Sequence, residues 1–225
     1  MMATLNKSFS NIIIGILISI HLSSCTSGTI YRELSDNLLI IFSSPEDIPK
    51  SEIDSIPYAT MQARFGKSKN SLIVLEEEKD DVLKWTSSNS IKIYTKNGYI
   101  IKVSGTENEL DLLELDNNHP VITQKFSNSE KTFTSFYNFD KPKLFNLPIK
   151  TVISFVENQN IEVLGSKQNL RLFKEKSLDN LISWNFTNYF WVDYEGRILM
   201  SEQFFTPRNP KAFLKITKQY KKPGN

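Results

Sequence analysis

The residue of this sequence with the clearest chemistry is Cys25, the single cysteine among 225 residues. It directly follows Leu22, Ser23 and Ser24. Small residues before a cysteine are typical of a bacterial lipobox, in which the thiol takes a diacylglycerol group as a thioether, the chain is cut before the cysteine, and the new amino terminus is acylated. The spacing therefore predicts that Cys25 carries acyl chains such as palmitate and becomes the first residue of the mature chain.

The residues before Cys25 have the layout of a secretory signal. Lys7 precedes the apolar run Ile12–Ile20, and a run of about nine residues is much shorter than the roughly 20 needed to cross a bilayer as a helix. Residues 1–24 are therefore predicted to be removed, and residues 25–34 to form a lipidated tether. Three acyl chains would hold the protein to a membrane almost permanently. The alternative is an ordinary secreted protein with an incidental cysteine.

Catalytic chemistry has few candidates in the mature chain. Once the signal is removed, His119 is the one histidine of the sequence that could serve a nucleophilic triad. Asp193 and Glu202 could form a glycosidase pair, but the sequence does not give their separation. The acidic run Glu76–Asp81 lacks the spaced oxygen ligands and glycine bend of a calcium loop, so a solvated hairpin tip is favoured. We expect no enzyme, no metal and no cofactor, with a polysaccharide-modifying enzyme as the alternative.

Binding of sugar is better supported by the residue types. Sugar rings are held by stacking aromatic side chains flanked by planar hydrogen-bonding groups. The opposing interpretation is that the aromatic residues form the core and the polar groups satisfy buried backbone. The basic tail with Lys218, Lys221 and Lys222 could meet anionic lipid or acidic polysaccharide, or simply be solvated. The candidates for binding glycan or a protein partner are Tyr58, Gln62, Arg64, Trp85, Trp191, Asp193, Arg197 and Gln203.

Composition limits the remaining possibilities. Removal of residues 1–24 leaves 225 less 24, or 201 residues, and takes away the charge of Lys7, so the formal net charge falls from +2 to +1. This balance argues against a nucleic-acid-binding protein, which normally has a concentrated basic face. With Cys25 acylated no disulfide can form, so hydrophobic burial must stabilise the fold. The 15 Phe, 8 Tyr and 3 Trp residues favour strands.

The elements that position these residues are predicted mainly as strands. Alternation of small or apolar residues with polar ones over residues 56–65 indicates a strand with one buried face. Asn97-Gly98, and Glu195-Gly196 further on, lie between β-rich runs and predict two hairpins. Short helices are predicted at Glu33–Phe42 and as one turn at Glu109–Leu115, inside the long polar connection 106–131. Further strands are predicted at Ser71–Leu75, Val82–Trp85, Ile91–Lys96, Tyr99–Val103, Thr132–Phe139, Ile149–Val156, Ile161–Leu164, Leu170–Lys174, Ser183–Tyr194 and Arg197–Phe205.

The two hairpins resemble each other. Trp85 precedes Gly98 by thirteen residues and Trp184 precedes Gly196 by twelve. Either an internal duplication or the sequence features that unrelated hairpins share would explain this similarity. Both faces of the second hairpin are apolar, so it should lie at the centre of a sheet covered on both sides. The expected fold is mostly β, an antiparallel β-sandwich or half-barrel with few short helices and two possible β-meanders. Residues 35–225 would form one domain, with possible halves 56–105 and 149–222.

Three segments together carry a resemblance to a known family. They are the lipobox, the string Ile56–Gly66 leading to Leu72–Leu75, and Tyr189–Asp193 followed by Gly196 and Ser201–Gln203. This combination resembles the YjbF/GfcB lipoproteins associated with group 4 capsule and exopolysaccharide operons. The resemblance implies a mostly β domain, an outer-membrane anchor and an accessory part in polysaccharide secretion. A Lys-Pro ending matching Lys222-Pro223 also makes Ala212–Tyr220 a strand rather than a helix.

Two segments differ from the family pattern. Glu195-Gly196 stands where Thr-Gly is more usual, and the asparagine-rich segment 106–131 matches poorly. The residue after Cys25 is Thr26, whereas inner-membrane lipoproteins typically have an aspartate at this position. Thr26 therefore favours the outer membrane. We therefore expect a non-catalytic accessory lipoprotein of the outer membrane, its domain facing the periplasm, which binds polysaccharide or other proteins of the export operon. A purely structural scaffold is a further alternative.

Overall fold

The computed structural model describes residues 47–178 and 182–220. These described residues form one compact unit. The predicted signal, Cys25, the tether 25–34 and the helix Glu33–Phe42 lie outside the described residues, as do Lys221, Lys222 and Pro223.

The described residues form twelve strands and two short helices. The predicted hairpin around Glu195-Gly196 and the predicted strand from Ala212 are confirmed. No helix in these ranges has the length and apolar character required to span a membrane. The strands are β1 Thr60–Phe65, β2 Ser71–Lys79, β3 Val82–Thr86, β4 Lys92–Lys96, β5 Tyr99–Ser104, β6 Leu110–Glu114, β7 Lys131–Phe139, β8 Leu144–Val163, β9 Ser166–Ser177, β10 Thr187–Val192, β11 Ile198–Gln203 and β12 Ala212–Lys218, and the helices are α1 Lys50–Ser55 and α2 Pro120–Thr123.

The strands form one antiparallel closed barrel, not the predicted sandwich or half-barrel. Each strand pairs with its neighbours in the chain, and β1 closes the sheet by pairing with both β2 and β12. In the closing pair Met61 lies opposite Ile216 and Ala63 opposite Leu214. Closure gives β1 and β12 a partner strand on each side, which removes a common route to aggregation at the two ends of the sheet.

Opposite walls of the barrel touch where the two hairpins turn. The strand order places β5 and β11 six positions apart in either direction. The Asn97 side chain donates a 2.8 Å hydrogen bond to the Gly196 carbonyl. Gln203 Oε1 accepts from the Ile100 backbone N–H at 2.9 Å, while its Nε2 donates to the Gly98 carbonyl at 2.9 Å. The two predicted hairpins therefore belong to one closed sheet and meet at their turns, and an internal duplication stays a hypothesis.

Strand β6 replaces the helical turn predicted at Glu109–Leu115. Leu110 and Leu113 are both buried, and a spacing of three between buried residues is also typical of a helix. A shift of register between Leu110 and Leu112 inserts an extra residue into the strand. Such a β-bulge lets two residues three positions apart face the same interior, so the helical interpretation was wrong for a local geometric reason.

Strands β8 and β9 form the longest hairpin of the barrel. The predicted strands Ile149–Val156 and Ile161–Leu164 are one strand, β8, because residues 157–160 continue the pairing with β9. This far part of the hairpin carries its own small apolar cluster: Val163 and Leu170 pack with Leu199 of β11 and with the half-buried Trp191. Trp191 Nε1 donates a 2.7 Å hydrogen bond to Gln159 Oε1, so the hairpin covers part of the outside of β10 and β11.

The connection between β6 and β7 enters the barrel as a plug, defined here as residues 116–126. His119 at the start of α2 is fully buried. Phe126 packs against Phe173 at 5.0 Å between ring centroids, and its carbonyl accepts a 3.2 Å hydrogen bond from Arg171. The long connection predicted at 106–131 is thus divided into strand β6 and this plug.

Gly196 lies against the backbone of the plug, and its substitution tests how much this contact stabilises the fold. Its φ is +85°, and a Cβ placed there would lie 2.0 Å from the Gln124 carbonyl oxygen. Because the substitution meets both an unfavourable backbone angle and fixed backbone, we expect Gly196→Ala to lower the free energy of unfolding by at least about 2 kcal/mol. Denaturant unfolding followed by tryptophan fluorescence measures this change.

Gly165 supplies the matched control for that substitution. Its φ is +72°, but nothing lies within 4 Å of an added Cβ. Gly165→Ala should therefore cost only the backbone term of about 1 kcal/mol. Equal losses in the two variants would show that the Gly196 contact with the plug does not constrain the fold.

Candidate functional site

The plug meets a buried carboxylate in the barrel interior. Glu175 of β9 is 1% exposed. Its Oε2 accepts hydrogen bonds from the Tyr99 hydroxyl and from Asn188 Nδ2, each at 2.8 Å, and its Oε1 accepts from the Thr151 hydroxyl at 3.0 Å. Asn188 is held in this orientation because its Oδ1 accepts from the Phe204 backbone N–H at 2.8 Å. Three neutral donors from three strands thus converge on one carboxylate.

His119 of the plug faces the same carboxylate. Its Nδ1 accepts a 3.3 Å hydrogen bond from the Val121 backbone N–H, so in the neutral ring the proton is assigned to Nε2. Nε2 lies 3.7 Å from Glu175 Oε1. The imidazole ring packs between Tyr99 at 5.5 Å and Phe133 at 5.0 Å between centroids. His119 therefore packs the plug against the interior residues Glu175, Tyr99 and Phe133.

The surroundings change the acidity of these groups in opposite directions. Burial raises the pKa of Glu175, but His119 and the hydrogen bonds from Asn188 and Tyr99 outweigh burial and leave that pKa below its ordinary value. Burial and the charge of Glu175 hold the pKa of Tyr99 well above its usual range, and they also raise the pKa of Tyr137. The interior therefore holds an anionic carboxylate beside neutral phenols.

This network stabilises the barrel and is closed to a large substrate. Its residues have the chemistry of an acid–base site, yet His119, Glu175 and Tyr99 are each no more than 2% exposed. Glu175 is not among the site residues predicted from the sequence, because the predicted strand ends at Lys174. Continuing the alternation of Phe173 through Glu175 to Ser177 would have placed a charge at an inward position, and that is the signal that could have found it.

The eight candidate binding residues do not form one site. Trp85 and Gln203 are each 1% exposed and offer no surface to a glycan. Trp85 Nε1 donates to the Thr95 hydroxyl at 2.9 Å, and Gln203 joins opposite walls of the barrel as described above. Both residues hold the interior together.

Two further candidates lie on the outside of β1. Gln62 is 2% exposed and donates a 3.2 Å hydrogen bond to Asp47, which is also 2.9 Å from Lys215 Nζ. The Arg64 guanidinium lies 5.1 Å from the centre of the Phe213 ring. Both side chains therefore hold the amino-terminal segment and β12 against β1.

Asp193 and Arg197 form the turn of the β10–β11 hairpin. Asp193 Oδ1 accepts from the backbone N–H groups of Glu195 and Arg197 at 2.9 Å each, and Arg197 Nε donates to Asp193 Oδ2 at 2.7 Å. This carboxylate is thus occupied by turn contacts. Glu202 lies opposite Tyr189, four residues from Asp193, so the strand rise places the two acids about 13 Å apart. Glycosidase pairs are separated by roughly 5 to 9.5 Å, and the geometry does not favour this pair.

Trp191 is half-buried and bonds to Gln159 of the β8–β9 hairpin, as described above. Tyr58, the last of the eight candidates, lines an open groove at one end of the barrel. Tyr58 is 63% exposed, and the groove has a volume of about 600 Å³. It lies where β2 continues past the start of β1: the Leu75 N–H bonds to the Ala59 carbonyl at 3.0 Å, and β2 then extends to Lys79 beside β3 alone. We call it the terminal groove; its lining residues are Pro57, Tyr58, Ala59, Leu75, Glu76, Glu77, Glu78, Lys218, Gln219 and Tyr220.

The terminal groove combines aromatic and hydrogen-bonding side chains. Tyr58 and Tyr220 can offer ring faces, and Glu77 and Gln219 can accept or donate hydrogen bonds to hydroxyl groups. Lys84 holds Glu76 with a 2.7 Å contact, and this ion pair holds the Glu76 pKa below its usual range. The acidic run Glu76–Asp81, predicted to be a hairpin tip, lies mostly within the extended part of β2, which ends at Lys79. Among the described residues, no group of three or more His, Cys, Asp or Glu could hold a metal ion.

Comparison with known proteins identifies the family. Residues 5–217 match the family described as "Group 4 capsule polysaccharide lipoprotein gfcB, YjbF". The chain belongs to this family. The YjbF lipoprotein of Escherichia coli (strain K12) is 24% identical over 196 residues, which cover 84% of this chain and 89% of that protein. GfcB of the same organism is 21% identical over 193 residues, or 83% of this chain and 88% of that protein.

A solved structure supports the fold of this YjbF-family chain. The crystal structure of the hypothetical lipoprotein YmcC from Escherichia coli (K12) matches with a TM-score of 0.66 at 20% identity. The match covers 88% of this chain and 99% of YmcC. The family resemblance carried by the three sequence segments is thus confirmed, and the family is one of capsule-associated lipoproteins.

Proposed function

We propose that this protein is an outer-membrane lipoprotein, anchored through Cys25, that acts non-catalytically in capsule or exopolysaccharide secretion by binding glycan. The domain would face the periplasm, where it can meet the polymer and other proteins of the export operon. Membership of the capsule lipoprotein family supports the pathway, and the lipobox supports the anchor. A strain that lacks the protein should show reduced surface polysaccharide, and unchanged surface polysaccharide would contradict the proposed role.

The exposed ring of Tyr58 in the terminal groove carries the glycan-binding part of the proposal. A tyrosine that is 63% exposed beside a concave surface has little role in packing. Sugar rings present apolar C–H faces that stack on aromatic rings, and their hydroxyls pair with carboxylates and amides. The groove offers both kinds of contact, whereas the interior network around Glu175 is enclosed.

The test is the affinity for surface polysaccharide purified from the producing strain. Tyr58→Ala removes the stacking surface and should weaken binding about tenfold, which corresponds to about 1.4 kcal/mol, while the thermal unfolding midpoint stays unchanged. Tyr194→Ala is the matched control, because Tyr194 is 71% exposed but lies in the turn of the β10–β11 hairpin, away from the terminal groove. Equal affinities of the wild type and Tyr58→Ala would place the binding surface elsewhere or exclude glycan binding.

A further inference from the structure

A second concave site is formed by the plug together with β7 and β8, and most of its lining belongs to the segment that departs from the family pattern. It is a pocket of about 200 Å³ between the end of the plug and the start of β7. We call it the plug pocket; its lining residues are Asn118, Pro120, Thr123, Lys125, Phe126, Ser127, Ser129, Lys131, Phe133 and Ile153. None of these residues lines the terminal groove.

The charge of the plug pocket has one sign. Lys125 and Lys131 are exposed, and the lining residues include no carboxylate. A concave surface with cations and without acids concentrates anions. The terminal groove has the opposite character, since Glu76, Glu77 and Glu78 line it with a single lysine. The two sites therefore select different ligands.

The uncharged lining fits a sugar ring better than a small inorganic anion. Phe126 and Phe133 supply apolar surface, while Asn118 and Thr123 supply an amide and a hydroxyl. A bare phosphate or carboxylate would use the lysines but not the apolar surface that the phenyl rings present to the pocket. Sites for drug-sized ligands have volumes of roughly 300 to 1,000 Å³, so about 200 Å³ suits a single ring of a longer chain.

The pocket is built on buried contacts. Phe126 and Phe133 are each 7% exposed, so their positions are set by the core beneath them. Phe126 packs on Phe173, and its carbonyl is held by Arg171, while Phe133 packs on His119. A preformed surface loses little conformational entropy on binding, and this favours even a small ligand.

We propose that the plug pocket binds a carboxylate-bearing pyranose, a uronic acid residue of a glycan. Lys125 and Lys131 pair with the carboxylate, Asn118 and Thr123 bond the ring hydroxyls, and the phenyl rings contact the apolar face of the sugar. The choice of a sugar rests on the proposed glycan-binding function. The anionic selectivity rests on the lining of this pocket alone.

The test is an NMR titration of the detergent-solubilised full chain with the methyl glycosides of galacturonic and glucuronic acid, compared with methyl galactoside and methyl glucoside. At least one uronide should bind about tenfold more tightly than its neutral counterpart and shift the signals of Phe126 and Phe133. Lys125→Gln and Lys131→Gln should each weaken uronide binding about tenfold, as expected for loss of a charge-assisted bond. Lys141 is exposed and lies in the turn that follows β7, so Lys141→Gln is the control and should bind as the wild type does.

Three outcomes would overturn the proposal: equal binding of uronide and neutral glycoside, unchanged affinity in both lysine variants, or equally tight binding of acetate or inorganic phosphate. The titration is repeated with Tyr58→Ala so that the two proposals can fail separately. If Tyr58→Ala loses polysaccharide affinity while no uronide binds the wild type, the plug pocket is wrong and the terminal groove stands. If uronides bind through the lysines but Tyr58→Ala is unaffected, the plug pocket stands and the role of the groove fails.

Discussion

Glu175→Gln is expected to lower the free energy of unfolding by about 3 kcal/mol, because a buried carboxylate that accepts three hydrogen bonds is replaced by an amide that cannot accept all of them. The carboxylate accepts from Tyr99, Asn188 and Thr151 and faces His119. A glutamine presents an NH₂ group to one of these donors, so buried N–H and O–H groups face each other without an acceptor. Urea unfolding of the two proteins, followed by tryptophan fluorescence, measures the difference.

The pH dependence of that difference identifies the charge as its cause. The folded-state pKa of Glu175 is lowered below the ordinary 4.5, so its ionisation stabilises the fold above pH 4.5 and this contribution is lost as pH falls through the lower folded-state pKa. The gap between wild type and Glu175→Gln should therefore narrow below pH 4.5. The exposed Glu162 of β8 provides the control, because Glu162→Gln should change stability by less than about 0.5 kcal/mol. A gap that is constant with pH would mean that the shape of the side chain, and not its charge, stabilises the interior.

Cys25→Ser is expected to transfer the protein from the membrane fraction to the soluble fraction. Each buried methylene contributes about 0.8 kcal/mol to membrane binding, so loss of the acyl chains removes nearly all of the anchoring free energy. The mature wild type should incorporate labelled palmitate, and the serine variant should incorporate none. Density fractionation of the wild type should place the labelled protein with the outer membrane.

Ser24→Ala is the matched control for the anchor. Alanine keeps a small residue next to Cys25, so cleavage and lipidation should proceed as in the wild type. Membrane binding of Cys25→Ser without any label, or a wild type without palmitate, would contradict the anchor and remove the main support for the proposed location.

The sequence could predict those parts of the molecule that depend on neighbouring residues. The Asn97-Gly98 and Glu195-Gly196 turns fix their hairpins because glycine adopts φ of +80° and +85° there. Alternation of apolar and polar residues located most strands, because successive side chains of a strand point to opposite faces. Where the local signal was ambiguous, as at Leu110 and Leu113, a bulge gave a strand the spacing of a helix.

The candidate site shows how far the residue types alone could lead. The sequence identifies aromatic and planar polar residues by type, but only their positions in the barrel separate the exposed Tyr58 from the buried Trp85. Arg64, Asp193 and Arg197 have the same chemistry as ligand-binding groups, yet their contacts hold strands and a turn.

What the sequence by itself determined was the family, the strand-rich class and the two hairpins, and it also predicts the lipid anchor. Strands and hairpins follow from residues close together in the chain, and the family follows from short strings of residues in a fixed order. Closure of β1 on β12, the contact between opposite walls and the pairing of His119 with Glu175 were decided by the tertiary structure. These contacts join residues from 56 to more than 150 positions apart. Local preference says nothing about such pairs, because they become favourable only once the surrounding barrel has excluded water from them.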